Sequence, residues 1–458
     1  MSAQGHDVAW RTACVANWEA VHDCQSSRVQ GMKDTSRGHP EDDIPMLRNR
    51  MVDELIVSNR IRSSHLAAAF RTVPRHIFLP DADPTSAYRD EAIVTKWAAD
   101  GRPVSSSSQP AVMAAMLEQL DAQTGQSVLE VGAGTGYNAA LLAQLVGASG
   151  AVTTIDIDED LVEQARRNLR AAGADGISVV HADGAEGWPR AAPFDRIILT
   201  AAAWDLAPAW LEQLADGGRL VLPLSLRGVQ RSVALERVSN YMASVSIVGC
   251  GFMPLRGSFA GPDPVRPLGD EPGLFLELDD ERPLNLVALS AALEHLGDEM
   301  ATSVTVTPAE IMGGLGLWLA LHDSDAGRLI TLGEGLNRRL VPAVVAFPGM
   351  ALTPVLVGDQ ALAALIRLNP AAAGTDAFEV GVRTYGPDGD DLADRLVAHV
   401  REWEAAGRPS TTGLRIRAYP AAESCSGPFT ALIDKYHTRL LLDWQPPATG
   451  PGSGPTHC

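Results

Sequence analysis

From residue 127 to residue 223 the chain alternates short continuous apolar runs with longer stretches whose apolar positions recur at helical spacing. The runs at 127–131, 151–156, 177–180, 195–199 and 219–223 read as strands buried on both faces, and helices begin near Asn138, Glu159 and Ala207. That order predicts an α/β fold: a parallel sheet between two helical layers, with ligands gathered at the strands' C-terminal ends. Two more runs, Ser232–Val238 and Ala243–Val248, finish the sheet as a hairpin about Ser239-Asn240. Upstream, helical patterns run from Leu47 through Leu55 and Ile56, and over Leu66–Phe70 before Pro74. Residues 110–122 form a further helix, with Pro110 in its first turn and Val112, Met113, Met116, Leu117 and Leu120 on one face. Between these, Arg75–Ser108 is irregular and rich in Pro, Asp and Ser, with a candidate short strand over 88–94.

The pattern divides the chain into a polar N-terminal arm (1–45), a catalytic domain (46–258), a Gly/Pro-rich linker (259–273), a C-terminal α+β domain (274–445) and a disordered Pro/Gly tail (446–458). In the C-terminal domain, strands are expected at 274–278, 303–306, 329–332, 343–346, 378–382 and 414–418. Helices are expected there at 285–296, 308–320, 359–368 and 390–405. No catalytic motif stands out, which suggests substrate recognition.

Composition narrows the function classes. With 458 residues and 46% hydrophobic content the chain can bury two or three cores. A net charge of −19 argues against a nucleic-acid partner, because phosphate neutralisation needs a basic face. No apolar run is long enough to span a bilayer and the N-terminus has no apolar signal core, so a cytoplasmic protein is expected. Cys14, Cys24, Cys250, Cys425 and Cys458 match neither a zinc site nor a disulfide framework, and the eleven histidines form no ligand cluster; no metal is expected.

The chemistry centres on Glu130-Val-Gly-Ala-Gly-Thr-Gly-Tyr137, where a strand breaks into three alternate glycines and re-enters a helix. Gly132, Gly134 and Gly136 can take backbone angles closed to other residues and let a ligand lie against the main chain. A dinucleotide fingerprint needs G-x-G-x-x-G, and here the third glycine comes one residue early. Glu130 before the loop and Asp156 at the end of the next strand suit S-adenosylmethionine, which offers an ammonium and a ribose diol and no pyrophosphate for acids to repel. A plain strand-to-helix turn would show the same glycines, and Asp156 could instead cap the helix near Glu159. Asp183 in Ala-Asp-Gly184 could accept from an adenine amino group or simply make an Asp-Gly turn. Ser105-Ser-Ser-Ser108-Gln109 before Pro110 reads first as helix capping, and beyond that as hydrogen bonding to a substrate.

Together these segments resemble the protein-L-isoaspartate (D-aspartate) O-methyltransferases from Leu66 to about Gly257. The resemblance rests on Phe70-Arg-Thr-Val-Pro-Arg-His-Ile-Phe78, Tyr88-Arg-Asp-Glu, Ser108-Gln-Pro-Ala-Val-Met113, Val128–Tyr137, Asp183–Trp188, Pro193–Ala202 and Leu214–Pro223. It implies a Rossmann-like class I methyltransferase sheet, with Ser108 as the active-site hydroxyl and Ser106, Ser107 and Gln109 as helpers in holding substrate. It also implies that Glu130, Gly132, Gly134, Gly136, Asp156, Asp183 and Gly184 line the S-adenosylmethionine pocket.

One segment departs from the family. In place of its Gly-x-Gly-Gln-Thr and Ile-Ser residues, which help to hold an isoaspartyl peptide, stands Ala92-Ile-Val-Thr-Lys-Trp-Ala-Ala-Asp-Gly-Arg-Pro-Val-Ser-Ser-Ser-Ser108. With the added C-terminal domain, the chain is similar to the long FxLD-system subgroup associated with lanthipeptide-type clusters. That likeness implies methylation of an ordinary Asp in a ribosomally made, modified peptide, with later closure to a succinimide. Repair of isoaspartyl residues in damaged proteins is the alternative within enzymes, and a non-catalytic peptide-binding maturation scaffold is the alternative outside them.

Overall fold

The computed structural model describes residues 43–445 apart from 100–101, 270–272, 280–281, 334–340, 348, 371–373 and 388. The expected tail, and the expected arm up to residue 42, lie outside these residues, as do Cys14, Cys24 and Cys458; Asp43 instead precedes a helix at Ile44–Val57. A second helix follows at Ser64–Thr72, its first turn closed by the Ser63 hydroxyl accepting from the Leu66 N–H. The Pro/Asp/Ser stretch then folds into a short turn at Arg75–Phe78 and a hairpin, β1 (Ile93–Trp97) with β2 (Pro103–Ser107).

The predicted alternation builds the central sheet. β3 (Ser127–Val131), β4 (Ala151–Asp156), β5 (Ser178–His181), β6 (Phe194–Leu199) and β7 (Leu214–Leu226) run parallel in the spatial order β5-β4-β3-β6-β7. The order reverses at β3, so the loops after β3 and β6 part to opposite faces and leave a crevice. β8 (Val229–Val238) and β9 (Tyr241–Gly249) extend it antiparallel. Alternate side chains serve two cores. Val128 and Val152 pack under the helices Pro110–Leu120 and Tyr137–Val146, whereas Leu129, Ile155 and Ile197 face Trp210 and the opposite layer.

The C-terminal half holds a second, antiparallel sheet of eight strands. Its strands are β10 (Val265–Pro267), β11 (Leu274–Glu277), β12 (Leu296–Val306), β13 (Ala326–Leu332), β14 (Val345–Phe347), β15 (Met350–Val357), β16 (Leu362–Pro370) and β17 (Phe378–Tyr385). The helix Asp390–Ala405 covers one face through Leu396, Val400 and Trp403, and Leu289 and Leu293 cover the other. The helix expected at 359–368 is instead β16. Leu362-Ala-Ala-Leu-Ile366 is buried throughout, and a strand enclosed on both faces loses the alternation that would distinguish it from a helix. β15, eight buried residues, escapes the sequence pattern for the same reason.

The expected boundaries also change. β18 (Leu414–Pro420), β19 (Ala431–Asp434) and β20 (Thr438–Trp444) leave the second sheet and join the first beyond β9, making it ten-stranded. Residues 274–445 are therefore not one independent unit, and the first sheet does not end at 258. Leu414, Ile416, Leu440 and Leu442 share a core with Leu220 and Leu222 of β7, together with Leu317 and Leu321 from the C-terminal half. Asp205, fully buried beyond β6, accepts from the His437 N–H at 2.6 Å and from the Thr438 hydroxyl, pinning the start of β20. Asp205→Ala strands those donors and should lower unfolding stability by about 1–3 kcal/mol in chemical denaturation. Asp205→Asn, which keeps an acceptor, should lose less; equal midpoints for wild type and Asp205→Ala would refute the pin.

Candidate active site

The crevice at the C-terminal ends of β3 and β4 opens into a cavity bounded by the glycine loop, the serine strand β2 and a strap over 251–256. Gly132 and Gly134 both take left-handed φ, at +106° and +50°. At Gly132 a Cβ would collide with the Thr200 hydroxyl, which donates to the Gly132 carbonyl at 2.7 Å. Gly136 is also left-handed, but it stands outside the cavity lining; its close neighbours are Leu169 and Ala165 of the helix Glu159–Ala171.

Two buried carboxylates support this loop. Glu130 is fully enclosed, accepting from Asn138 Nδ2 at 2.8 Å and from the Thr154 hydroxyl at 2.6 Å. Burial pushes its pKa up to about 7, against the pull of those two hydrogen bonds. Asp156 accepts from the Gly134 N–H at 3.0 Å on one oxygen and from the Asp158 N–H at 3.1 Å on the other, which leaves further lone pairs. Burial raises its pKa as well, with those two N–H groups opposing. Asp158, not Asp156, is the N-cap residue of the following helix.

Asp158 also links the two sides of the cavity mouth. Lys96 of β1 reaches its Oδ2 at 2.8 Å and Arg256 of the strap reaches the same oxygen at 2.7 Å. Burial pushes the Asp158 carboxyl up, but the Arg256 and Lys96 hydrogen bonds prevail and hold it below the usual range.

The serines do not cap the helix as their position suggests. Ser105–Ser107 lie in β2, and Gln109 occupies the cap position without a side-chain cap bond. Asp90 serves instead, accepting from the Ala111 N–H at 2.8 Å and from Gln109 Nε2 at 2.9 Å. Ser106, Ser107, Ser108 and Gln109 all line the cavity, and the Ser108 hydroxyl has no hydrogen-bond partner among the described residues. Ser107 Oγ receives a 3.3 Å bond from the buried Arg75, which also donates to the Ser108 carbonyl at 2.9 Å.

Glu130, Gly132, Gly134, Asp156 and Gly184 face the same cavity. Asp183 is not on that lining: it accepts from the Ala185 N–H at 2.9 Å, within the Asp-Gly turn, and from the Ser258 N–H at 2.7 Å, just past the strap. Sequence reading missed Thr200, Asn138, Arg75, Asp90 and the strap. Arg75 and Asp90 lie inside two of the recognised segments, but nothing in spacing alone shows that both converge on the serine strand.

The lining fits S-adenosylmethionine. Among the described residues it offers two carboxylates, several hydroxyls and a single cation, Arg256, whose charge already faces Asp158. That set favours a cationic ligand with a diol over a pyrophosphate. No group of three or more metal-binding side chains occurs among the described residues, and no helix there is long and apolar enough to cross a membrane.

Glu130 gives this site a pH signature. Its folded-state pKa near 7 exceeds the ordinary 4.5, so the folded chain keeps a proton that the unfolded chain releases. This group's contribution to stability therefore falls as pH rises between those values and stays low above them. Relative to wild type, Glu130→Gln should gain stability from about pH 5 to about pH 8, read as denaturation midpoints. A difference independent of pH would contradict the assignment.

A sequence model of the Protein-L-isoaspartate(D-aspartate) O-methyltransferase (PCMT) family matches residues 46–259. The Protein-L-isoaspartate O-methyltransferase of Hyperthermus butylicus is 39% identical over 221 residues, 46% of this chain and 89% of that protein. The enzyme of the same name from Methanoregula boonei is 40% identical over 215 residues, 46% of this chain and 94% of that protein. Among solved structures, a protein-L-isoaspartate O-methyltransferase covers 81% of this chain and 96% of its own, at 23% identity and TM-score 0.45. A putative one from Plasmodium falciparum, in complex with S-adenosyl-L-homocysteine, covers 46% of this chain and 98% of its own, at 17% identity and TM-score 0.41. With relatives near 40% identity matched over nine-tenths of their length, and with the sheet, glycine loop and paired acids in place, this chain belongs to the protein-L-isoaspartate O-methyltransferase family of S-adenosylmethionine-dependent carboxyl methyltransferases.

Proposed function

We propose that the chain methylates the free carboxylate of an isoaspartyl residue in a peptide or protein, the α-carboxylate left when the main chain runs through the side-chain carbonyl, held at the edge of the cavity by Ser108. The observation that carries this reading is the Ser108 hydroxyl, without a hydrogen-bond partner among the described residues, on the lining shared with Glu130 and Asp156. S-adenosylmethionine, when bound, supplies an electrophilic methyl on a sulfonium. An aspartyl-type carboxylate, with a reference pKa near ~3.9, is already ionised at neutral pH and needs no general base. The protein's task is then alignment and exclusion of water, where positioning alone contributes roughly 7–11 kcal/mol. In this reading Asp156 accepts from the ribose hydroxyls and Gly132 and Gly134 let the cofactor approach the main chain. Glu130 supports the loop from below, and Ser108 donates to one acceptor oxygen while Ser106 lies beside it. Ser107 and Gln109, engaged with Arg75 and Asp90, shape the acceptor edge.

The second reading is an ordinary Asp in a modified, lanthipeptide-like ribosomal peptide, as in the FxLD-system subgroup. It is favoured by the departing segment, which forms the β1–β2 hairpin at the cavity mouth. It is also favoured by the turn between β19 and β20, whose His437 stacks at 5.4 Å on Phe259 just beyond the strap. Under either reading, that hairpin and turn select the peptide.

Mass spectrometry of an isoaspartyl test peptide and of a cyclised ribosomal peptide, each incubated with the cofactor, separates the two. Methyl gain on the isoaspartyl peptide supports the first, gain confined to the ordinary Asp of the cyclised peptide replaces it, and gain on neither leaves the scaffold alternative. Ser108→Ala should lower acceptor turnover roughly 10–100-fold at near-unchanged cofactor affinity, through loss of a charge-assisted hydrogen bond. Asp156→Ala should weaken cofactor binding by a similar factor in titration calorimetry. Full turnover in Ser108→Ala would exclude its role.

A further inference from the structure

Arg75 is fully buried, yet it lies outside the cavity lining. Its Nη1 donates to the carbonyls of Ala87 at 2.7 Å and Arg89 at 3.2 Å. Its Nη2 donates to the Glu91 carbonyl at 3.2 Å, to Ser107 Oγ at 3.3 Å and to the Ser108 carbonyl at 2.9 Å. Four of these five partners are main-chain carbonyls. The guanidinium thus gathers two separate segments, 87–91 and 107–108, around one plane. Its Cζ also sits 5.8 Å from the ring of Tyr137, which opens the helix after the glycine loop. Asp90, carried on the first segment, holds Gln109 and the Ala111 N–H, so the chain on either side of Ser108 is fixed from one source.

Enclosing a guanidinium is costly, and burial lowers its pKa. Such a cation persists in a fold when its planar fork satisfies several acceptors at once. A lysine could direct at most three hydrogen bonds, from a single point and in no common plane. The acceptors gathered here include the carbonyl of the residue whose hydroxyl faces the cavity.

We infer that Arg75 is the positioning residue of the methyl-acceptor site: through its bonds to Ser107 and Ser108, and through the Asp90 segment, it sets the Ser108 hydroxyl against the acceptor carboxylate. The inference rests on the reading of Ser108 given above. Arg75 does not touch substrate or cofactor; it acts through Ser108.

The test is a double-mutant cycle with a structural readout. Arg75→Lys should lower kcat for the methylated peptide roughly tenfold or more, while cofactor affinity stays within about twofold. In a Ser108→Ala background the same substitution should change kcat by less than about twofold, because the group it positions is gone. Amide hydrogen exchange should quicken over 105–109 and stay unchanged over 127–136. Equal losses with and without Ser108, or unaltered exchange over 105–109, would overturn the inference. Should Arg75→Lys fail to fold, Ser107→Ala removes one bond of the fork and keeps its charge; exchange at 108–109 should still quicken, and no change would count against the proposal. If the wild type methylates neither peptide, the acceptor reading falls, while the exchange data still decide whether Arg75 sets this segment.

Discussion

A backbone loop made largely of glycine has no side chains with which to hold its own shape, so its neighbours must hold it. Here two buried carboxylates do so. Glu130 joins β3 to the Asn138 amide at the start of the next helix and to the Thr154 hydroxyl on β4, while Asp156 takes the Gly134 N–H directly. The loop thereby keeps its left-handed turns and an open approach to the main chain. Enclosing two acids costs stability, as their raised pKa values record. That cost is met where a cationic ligand belongs, which fits a site kept for binding better than one kept for rigidity alone.

The wall that carries the serines is built on a different principle. Serines on β2 and the residues after it face the glycine loop across the cavity, yet their placement depends on residues far from them in sequence. Arg75 and Asp90 fix the backbone around Ser108, while Lys96 and Arg256 draw the hairpin and the strap to Asp158. Asp158 in turn donates its N–H to Asp156. The glycine-loop wall and the serine wall therefore meet in one short stretch, 156–158, and a disturbance at the mouth is two residues from Asp156.

Much of this was legible in the sequence. The order of apolar runs pointed to the parallel sheet, and the one-residue-short glycine spacing with Glu130 and Asp156 pointed to the cofactor, whereas the strand order that makes the switch point is a tertiary property. Elsewhere, local pattern lost to tertiary context. The serine run resembles a helix cap because Pro110 follows it, but Asp90 captures the Ala111 N–H from twenty-one positions away and the serines become a strand. Asp183 resembles a pocket acid, yet it stands outside the lining that holds Glu130 and Asp156, and its oxygens accept from the Ala185 and Ser258 N–H groups. β16 resembles a helix because a strand buried on both faces has no alternation to display. The return of β18–β20 to the first sheet is a long-range pairing, and no local signal announces a partner 174 positions away, as for Ala243 and Arg417.

A crystal structure of the full chain with S-adenosyl-L-homocysteine would place both walls of the cavity and the cofactor in one map. The ribose hydroxyls should lie within hydrogen-bond reach of Asp156, the thioether sulfur beyond Gly132 and Gly134, and the Ser108 hydroxyl should face the sulfur across a gap wide enough for a carboxylate. A ribose bound away from Asp156, or a sulfur turned from Ser108, would contradict the proposed reaction.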